Sequence, residues 1–237
     1  MRLTVFGVEG VPEIRAGDDL GGAIAAAASA GEGTVLAGGD VVVVTQKAVS
    51  KAEGKLVPID GDDPRGYKAI VEDESVRVLR RRGELIISET RHGFICANAG
   101  VDLSNVEAGW AALLPDDSDR SARRIRDRLR AVAGVEVGVI VSDTFGRPWR
   151  RGLTDVAIGC AGVAAVLDLR GTEDAGGREL TVTEVAVVDE LAGAAELVMG
   201  KALGVAAAIV RGVPAAWLRP GNVHDEIVRP PSEDLFR

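Results

Sequence analysis

Three observations on the sequence predict an α+β fold with mixed β-sheets and packed helices. Short apolar runs such as residues 41–44 are typical of buried strands. Residues 20–30 are rich in alanine, and residues 121–132 carry apolar side chains at helical spacing. No repeat or convincing internal linker interrupts these elements, so we expect one domain, residues 1–237, with an irregular, proline-containing tail at 213–237.

The individual elements follow from periodicity and from turn residues. Residues 17–19 predict a cap for the first helix, and glycines at 38 and 39 precede the first fully buried strand. The predicted strands are 3–8, 41–44, 84–88, 135–141, 156–169, 180–188 and 206–210; the predicted helices are 20–30, 64–82, 121–132 and 189–202.

Composition narrows the class of protein. The net charge of −8 argues against general affinity for nucleic acid. The arginines of residues 121–132 alternate with apolar side chains, which favours a solvated helix face over an RNA site.

No apolar run approaches the roughly 20 residues of a membrane span. Cys96 and Cys160 lie in apolar surroundings and no signal peptide is evident, so we expect core thiols in a cytoplasmic protein. A catalytic pair of Cys96 with His92 is the alternative.

The segment 138–152 holds the most informative motif. A buried strand is followed by Asp143 and Thr144, whose oxygens suit Mg²⁺ or Mn²⁺. Arg147, Arg150 and Arg151 come next, and guanidinium groups match carboxylate or phosphate. We therefore expect anions and a divalent cation to meet where this strand ends. The alternative is an Asp-Thr helix cap beside solvated arginines.

Three further segments carry weaker signals. Residues 94–105 are small and apolar but end in Asp102 and Asn105, a second candidate metal or nucleotide corner. Lys51 follows the strand 41–44, and the turn after Gly200 could bring Lys201 or backbone N–H groups to a phosphate. Neither GxxxxGK[ST] nor a strand-following GxGxxG occurs. The residues alone predict a metal-dependent enzyme acting on an anionic substrate.

Six groups of motifs stand in a recognisable order: residues 10–14 with 17–19, 41–47 with 50–54, 98–105, 142–147 with 150–152, 177–180 and 189–201. Together they resemble the coenzyme F420:L-glutamate ligase family, also called gamma-glutamyl ligase. They run in order from about residue 3 to residue 212. Residues 229–236 are similar to the stretch that closes the ligase part of two-domain members, although no flavin domain follows here. One departure is Gly-Val-Ala-Ala at 204–207, where many relatives have Gly-Ile-Pro.

The resemblance implies a GTP-dependent amide-forming ligase. It would add L-glutamate to the deazaflavin coenzyme F420-0, and then further gamma-linked glutamates, through an acyl phosphate that releases GDP and phosphate. Mg²⁺ or Mn²⁺ would be held by Asp102, Asp143 and Thr144. K⁺ is a further candidate cation. The residues implied to contact GTP are Val11, Pro12, Glu13, Ile14, Gln46, Lys51 and Asn105.

Asp102, Asp143 and Arg147 are the predicted catalytic residues, and we add Arg150 and Arg151 as contacts of the anionic substrate. No residue stands out as the base for the incoming amine. The family fold further implies an intertwined homodimer with sites near the interface. Two rival functions are a ligase for another carboxylate-bearing cofactor and a GTP-binding module without turnover.

Overall fold

A computed structural model describes residues 1–60 and 66–234. The strands are β1 (Thr4–Gly7), β2 (Val41–Thr45), β3 (Leu56–Pro58), β4 (Ser75–Arg82), β5 (Leu85–Thr90), β6 (Ile95–Ala97), β7 (Trp110–Ala112), β8 (Gly138–Arg147), β9 (Arg150–Ala161), β10 (Leu167–Asp168), β11 (Glu184–Val185) and β12 (Ala207–Arg211). The helices are α1 (Leu20–Ala30), α2 (Gln46–Ala52), α3 (Lys68–Asp73), α4 (Ser118–Ala133), α5 (Val187–Met199) and α6 (Val223–Glu226).

A five-stranded sheet in the order β1-β12-β2-β8-β9 forms the centre of the fold. Strands β2 and β8 are parallel, and the other neighbours are antiparallel. Alternate valines of β2 face opposite sides, so Val42 packs with α1 and α4 while Val43 packs with α5. A strand covered on both faces explains the continuous apolar run. The parallel pair also brings the carboxyl ends of β2 and β8 together, with Thr45 opposite Ser142.

Smaller sheets lie beside the central one: β3-β7, β4-β5-β6 and β10-β11. Val71, Ile86 and Ala111 form a separate small core there. Ala99 and Val101 belong to the same core, so the segment that carries Asp102 is anchored by apolar packing.

A buried ion pair closes the amino end of the central sheet. Asp40, just before β2, is 1 % exposed and accepts hydrogen bonds from Arg211 Nε at 2.8 Å and Nη2 at 2.7 Å. The backbone N–H of Ala37 donates to the same carboxylate at 2.8 Å. Every oxygen of this carboxylate therefore has a donor from the protein.

Strand β9 lies at the edge of the central sheet, and side chains from two helices cover part of that edge. The N–H of Ala157 donates to Asp189 Oδ1 at 2.9 Å, and the N–H of Cys160 donates to Asp119 Oδ1 at 2.8 Å. These carboxylates take the donors that another strand would otherwise pair with.

The α+β class is confirmed, as are the helix at 20–30 and the helix around 121–132. In α1 the side chain of Asp19 accepts the N–H of Gly22, as the predicted cap requires. In α4 the apolar residues Ala122, Ile125 and Leu129 are buried. Cys96 and Cys160 are free and buried, which confirms that they are core thiols. Within the described part of the chain, no helix combines the length and apolar character that crossing a membrane requires.

The predicted helix over 64–82 is wrong for most of its length. Its first two residues lie outside the described ranges, α3 covers only Lys68–Asp73, and Ser75–Arg82 is the strand β4. Gly83, with φ of 56°, turns the chain so that β4 pairs with β5. Two register shifts in this pairing interrupt the period-two alternation, so the sequence pattern did not reveal the strand.

The strand before Asp143 is longer than predicted, and two later strands are shorter. β8 continues through Asp143 and Thr144 to Arg147 because it pairs with β9 as a hairpin. β9 ends at Ala161 before Gly162, whose φ is 72°, and beyond it the two predicted strands keep only Leu167–Asp168 and Glu184–Val185, while Val187 already begins α5. The predicted strands 156–169 and 180–188 therefore end early or shrink to β10 and β11. The predicted irregular tail, described to residue 234, contains α6 and buries Val213 and Val223.

Candidate functional site

A cavity of about 280 Å³ opens at the carboxyl ends of β2 and β8. The start of α2, the end of α5 and the loop after β6 form its walls. This is the position at which open sheets bind ligands. The predicted residues that line it are Val11, Pro12, Glu13, Ile14, Gln46, Lys51, Asp102, Asn105, Asp143 and Thr144. The structure therefore brings the predicted nucleotide and metal residues together, while their roles remain predictions.

The structure does not bring the predicted arginines to this cavity. Arg147, Arg150 and Arg151 are exposed at the tip of the β8–β9 hairpin and do not line the pocket. Arg147 lies opposite Arg150, with Trp149 between them 86 % exposed. The arginines are displaced because β8 continues beyond Thr144 as a paired strand. Their catalytic and substrate-binding roles remain predictions.

A strained loop positions Asp102 and Asn105. Asn98, Ala99 and Asn105 have φ values of 51°, 52° and 52° without being glycine. Such backbone persists only where packing holds it, and buried Ala99 provides that packing. Asn105 Nδ2 also donates to the carbonyl of Lys201 at 3.2 Å, which joins this loop to the turn after α5. The predicted turn at Gly200 and Lys201 thus lines the same pocket.

Asp102 is held by a lysine that the sequence did not single out as a site residue. Lys47 Nζ lies 2.9 Å from Asp102 Oδ2 and 2.8 Å from Ser104 Oγ. Burial raises the pKa of Asp102, but hydrogen bonds from Lys47 and from the Ser104 N–H outweigh it, and the net pKa is lowered. Asp102 is therefore ionised at neutral pH. Lys51 pairs with Glu13 on the other side of the pocket.

The pKa of Asp143 is shifted in the opposite direction to that of Asp102. Burial raises its pKa to about 7; the N–H of Thr144 works against this, and the charges of Asp102 and Asp155 add to the rise. None of the described residues forms an ion pair with it. The charge of Lys201 also lowers the pKa of Asp143, but without an ion pair it does not offset the rise.

Asp155 is a buried site residue that sequence reasoning missed. Its two oxygens accept hydrogen bonds from Ser142 Oγ at 2.8 Å and from Thr144 Oγ1 at 2.7 Å. Because Thr144 donates its proton to Asp155, the lone pairs of the hydroxyl oxygen are available to another partner. The one local signal was an acidic residue directly before the apolar stretch 156–161.

These residues fit a divalent cation held partly by substrate. Asp102 and Asp143 repel each other, and a cation at that position would relieve the repulsion. Among residues 1–60 and 66–234, no group of three or more His, Cys, Asp or Glu side chains is arranged to hold a metal. Mg²⁺ is often bound by one or two carboxylates plus substrate phosphates, and two carboxylates with a hydroxyl match that pattern.

The remaining wall carries positive and polar groups suited to an anion. Lys47, Lys51 and Lys201 all line the pocket. Gln46 is buried, and its amide nitrogen donates to Ser50 Oγ and to the Leu113 carbonyl, which leaves Oε1 as the atom for a ligand. Carboxylates and lysines that line one cavity define an α+β protein with a pocket for an anionic ligand and a cation.

Comparisons with known proteins agree with this class. The family model described as F420-0:gamma-glutamyl ligase matches residues 10–212. A coenzyme F420:L-glutamate ligase of Methanothermobacter thermautotrophicus is 44 % identical over an alignment of 253 positions that covers 100 % of both chains. A protein of the same name from Methanopyrus kandleri is 44 % identical over 99 % of both chains, and one from Methanocaldococcus jannaschii is 40 % identical over 84 % of this chain and 85 % of its own. The chain belongs to the F420-0:gamma-glutamyl ligase family.

Proposed function

We propose that this chain is a GTP- and metal-dependent ligase that joins L-glutamate to coenzyme F420-0. The observation that carries the proposal is the gathering of Asp102, Asp143 and Thr144 in one pocket with lysines, in a member of this family. A carboxylate is a poor acyl donor, so it must be activated before an amine can attack it. Transfer of the GTP γ-phosphoryl group would provide that activation.

The reaction balances in two steps. A carboxylate oxygen of the acceptor attacks the γ-phosphorus, the bond to the bridging oxygen breaks, and GDP leaves. The glutamate nitrogen then attacks the carbonyl carbon of the acyl phosphate, and the carbon–oxygen bond breaks with release of phosphate. Repetition on the new γ-carboxylate would give gamma-linked products.

The residues of the pocket have separate tasks in this scheme. Val11, Pro12, Glu13, Ile14, Gln46, Lys51 and Asn105 would bind and orient GTP, and positioning is the main protein contribution to phosphoryl transfer. Asp102, Asp143 and Thr144 would hold Mg²⁺ or Mn²⁺, which supplies charge neutralisation for the phosphates when bound. K⁺ is a further candidate cation. Arg147, Arg150 and Arg151 would contact the anionic acceptor from the hairpin tip.

Two further properties belong to the proposal. We propose a homodimer, which light scattering would report as about twice the chain mass of 24.6 kDa at micromolar concentration. A fully active monomer would contradict it. We also propose a cytoplasmic location, because two free buried cysteines are consistent with a reducing compartment.

Mass spectrometry with purified protein, GTP, Mn²⁺, L-glutamate and F420-0 tests the reaction. The expected product is the acceptor plus one or more glutamates, and phosphate release should require acceptor and glutamate together. With ¹⁸O in the acceptor carboxylate, one label should pass into the released phosphate.

The outcomes of this experiment separate the rival functions. Product without label transfer would contradict the acyl phosphate but not the ligase. Phosphate without glutamyl product would indicate a ligase for another acceptor, and GTP binding without phosphate release would indicate a binding module.

A further inference from the structure

The carboxylates that line the pocket differ in whether protein donors already use their oxygens. Asp102 is held by Lys47 and Ser104, Asp155 by Ser142 and Thr144, Glu13 by Lys51, and Asp143 by the Thr144 N–H. Glu196 also lines the pocket, but no described residue donates a hydrogen bond to its carboxylate or pairs with it. Its oxygens are therefore open to a ligand.

Glu196 lies at the side of the pocket that α5 and β9 form. It lies on the last turns of α5, whose Gly193 packs near Thr154 and Asp155 of β9. The charged groups that act on Glu196 are Asp155 from β9 and Lys201 from the turn after α5. Burial raises the pKa of Glu196, Asp155 raises it further, and Lys201 lowers it. A carboxylate in this environment binds a proton more readily than an exposed one.

The proposed ligation needs a proton acceptor within the pocket. An amino acid carries an ammonium group at neutral pH, and its nitrogen can attack an acyl carbon only after losing a proton. Lysine cations cannot accept that proton, and none of the described residues that line the pocket is His, Cys or Tyr. Lys47 and Lys51 are moreover already paired with carboxylates.

We propose that Glu196 is the general base for the incoming amine, an inference that rests on the proposed ligase function. The carboxylate of Glu196 takes one proton from the ammonium group, and the electron pair of the broken N–H bond stays on nitrogen. That pair forms the amide bond while the bond between the acyl carbon and the phosphate oxygen breaks, and the second proton lost from nitrogen leaves with the phosphate. Glu196 is thereby a catalytic residue for the second step only.

Hydroxylamine separates this role from the first step. It is a nucleophile that is uncharged near neutral pH, so it captures an acyl phosphate as a hydroxamate without a base from the protein. The experiment compares wild type with Glu196→Gln, which keeps shape and removes the base. Glu190→Gln is the matched control, because Glu190 is an exposed carboxylate on the first turn of the same helix.

We expect Glu196→Gln to lower kcat with L-glutamate by about 100-fold, within the usual range for loss of a general base, and to leave hydroxamate formation within about threefold. Glu190→Gln should change neither rate. Retained hydroxamate formation would also show that the variant is folded.

Two results would overturn the assignment of Glu196. Equal losses with glutamate and hydroxylamine would place it in phosphoryl transfer or in the fold, and unchanged rates with both would leave it without a role. The absence of hydroxamate from wild-type protein, GTP and F420-0 would instead contradict the proposed function itself.

Discussion

Carboxylates of the protein interior or of the pocket occur at both ends of the central sheet, and they differ in whether other residues pair with them. At the amino end, Asp40 has donors from Arg211 and Ala37 on both oxygens. At the carboxyl end, Asp143 faces Asp102 and Asp155 with no ion-pair partner from the described chain, and its pKa rises to about 7. A satisfied carboxylate stabilises the fold, whereas an uncompensated one costs stability and is retained for binding or catalysis. The comparison predicts opposite consequences for mutation at the two ends.

The largest expected effect is on turnover at the carboxyl end. Asp143→Asn and Asp102→Asn should each lower kcat by about 100-fold or more, because loss of an anionic cation ligand forfeits several kcal/mol of transition-state stabilisation. Steady-state kinetics at saturating Mn²⁺ measure this, with exposed Asp225→Asn as the control. Near-normal turnover in both variants would contradict the assignment of these residues to a metal. It would also contradict the idea that the carboxylates at the carboxyl end serve catalysis.

The next effect is on stability at the amino end. Asp40→Ala should lower the free energy of unfolding by about 2–3 kcal/mol, since hydrogen bonds to a charged group are lost. The side chain of Arg211 is 34 % exposed and can turn to water, which keeps the cost below that of a fully buried pair. Urea unfolding measures the change, and kcat of the folded variant should stay within about twofold. A large loss of kcat without loss of stability would reverse the comparison.

The pH dependence of stability sharpens the contrast. Asp143 has a pKa of about 7 in the folded chain, against about 3.9 for an unperturbed aspartate in the unfolded chain. Between these values the folded state holds a proton that the unfolded state has lost, so the free energy of unfolding falls as pH rises. This contribution is fully present below about pH 4 and lost through about pH 7.

The Asp143→Asn variant lacks that contribution to stability. It is therefore the reference against which the wild type is compared. The difference in unfolding free energy between wild type and the variant should fall between about pH 4 and 7, with a slope of at most about 1.4 kcal/mol per pH unit. Urea unfolding in the presence of a chelator measures it. Parallel pH profiles would show that Asp143 is not buried enough to hold the proton.

The smallest expected effect is at the hairpin tip, where the arginines are exposed. Arg150→Ala and Arg151→Ala should each raise the KM for F420-0 by about threefold without changing kcat or stability, as exposed ion pairs contribute at most about 1 kcal/mol. Arg82→Ala, an exposed arginine of β4, is the control. An unchanged KM in both tip variants would remove these arginines from the substrate site.

Local patterns in the sequence predicted much of the fold, but not its long-range pairing. The continuous valines of β2 and the apolar spacing of α4 are patterns of residues close together in sequence, so the burial of both elements could be predicted. The hairpin of β8 and β9 depends on partners up to 22 residues apart, such as Val139 and Ala161, and no local period reports that register. Extension of that hairpin carried Arg147 away from the pocket.

The candidate site shows the same division. Asp102 and Asp143 stand where apolar segments end, and a charged residue at such a position is visible in the sequence. The residues expected to contact GTP came from the family resemblance. Asp155 and Glu196 lie within an ordinary strand and an ordinary amphipathic helix, where one acidic residue is unremarkable. Only the packing of α5 against β9 shows that both face one cavity.

The capped edge of β9 limits how two copies of this chain can meet. Asp119 and Asp189 already occupy the N–H groups of Cys160 and Ala157, so a second molecule cannot extend the sheet by backbone pairing along this stretch. The same carboxylates would repel an approaching strand rich in acidic side chains. The proposed homodimer must therefore form through side-chain surfaces or through other strand edges.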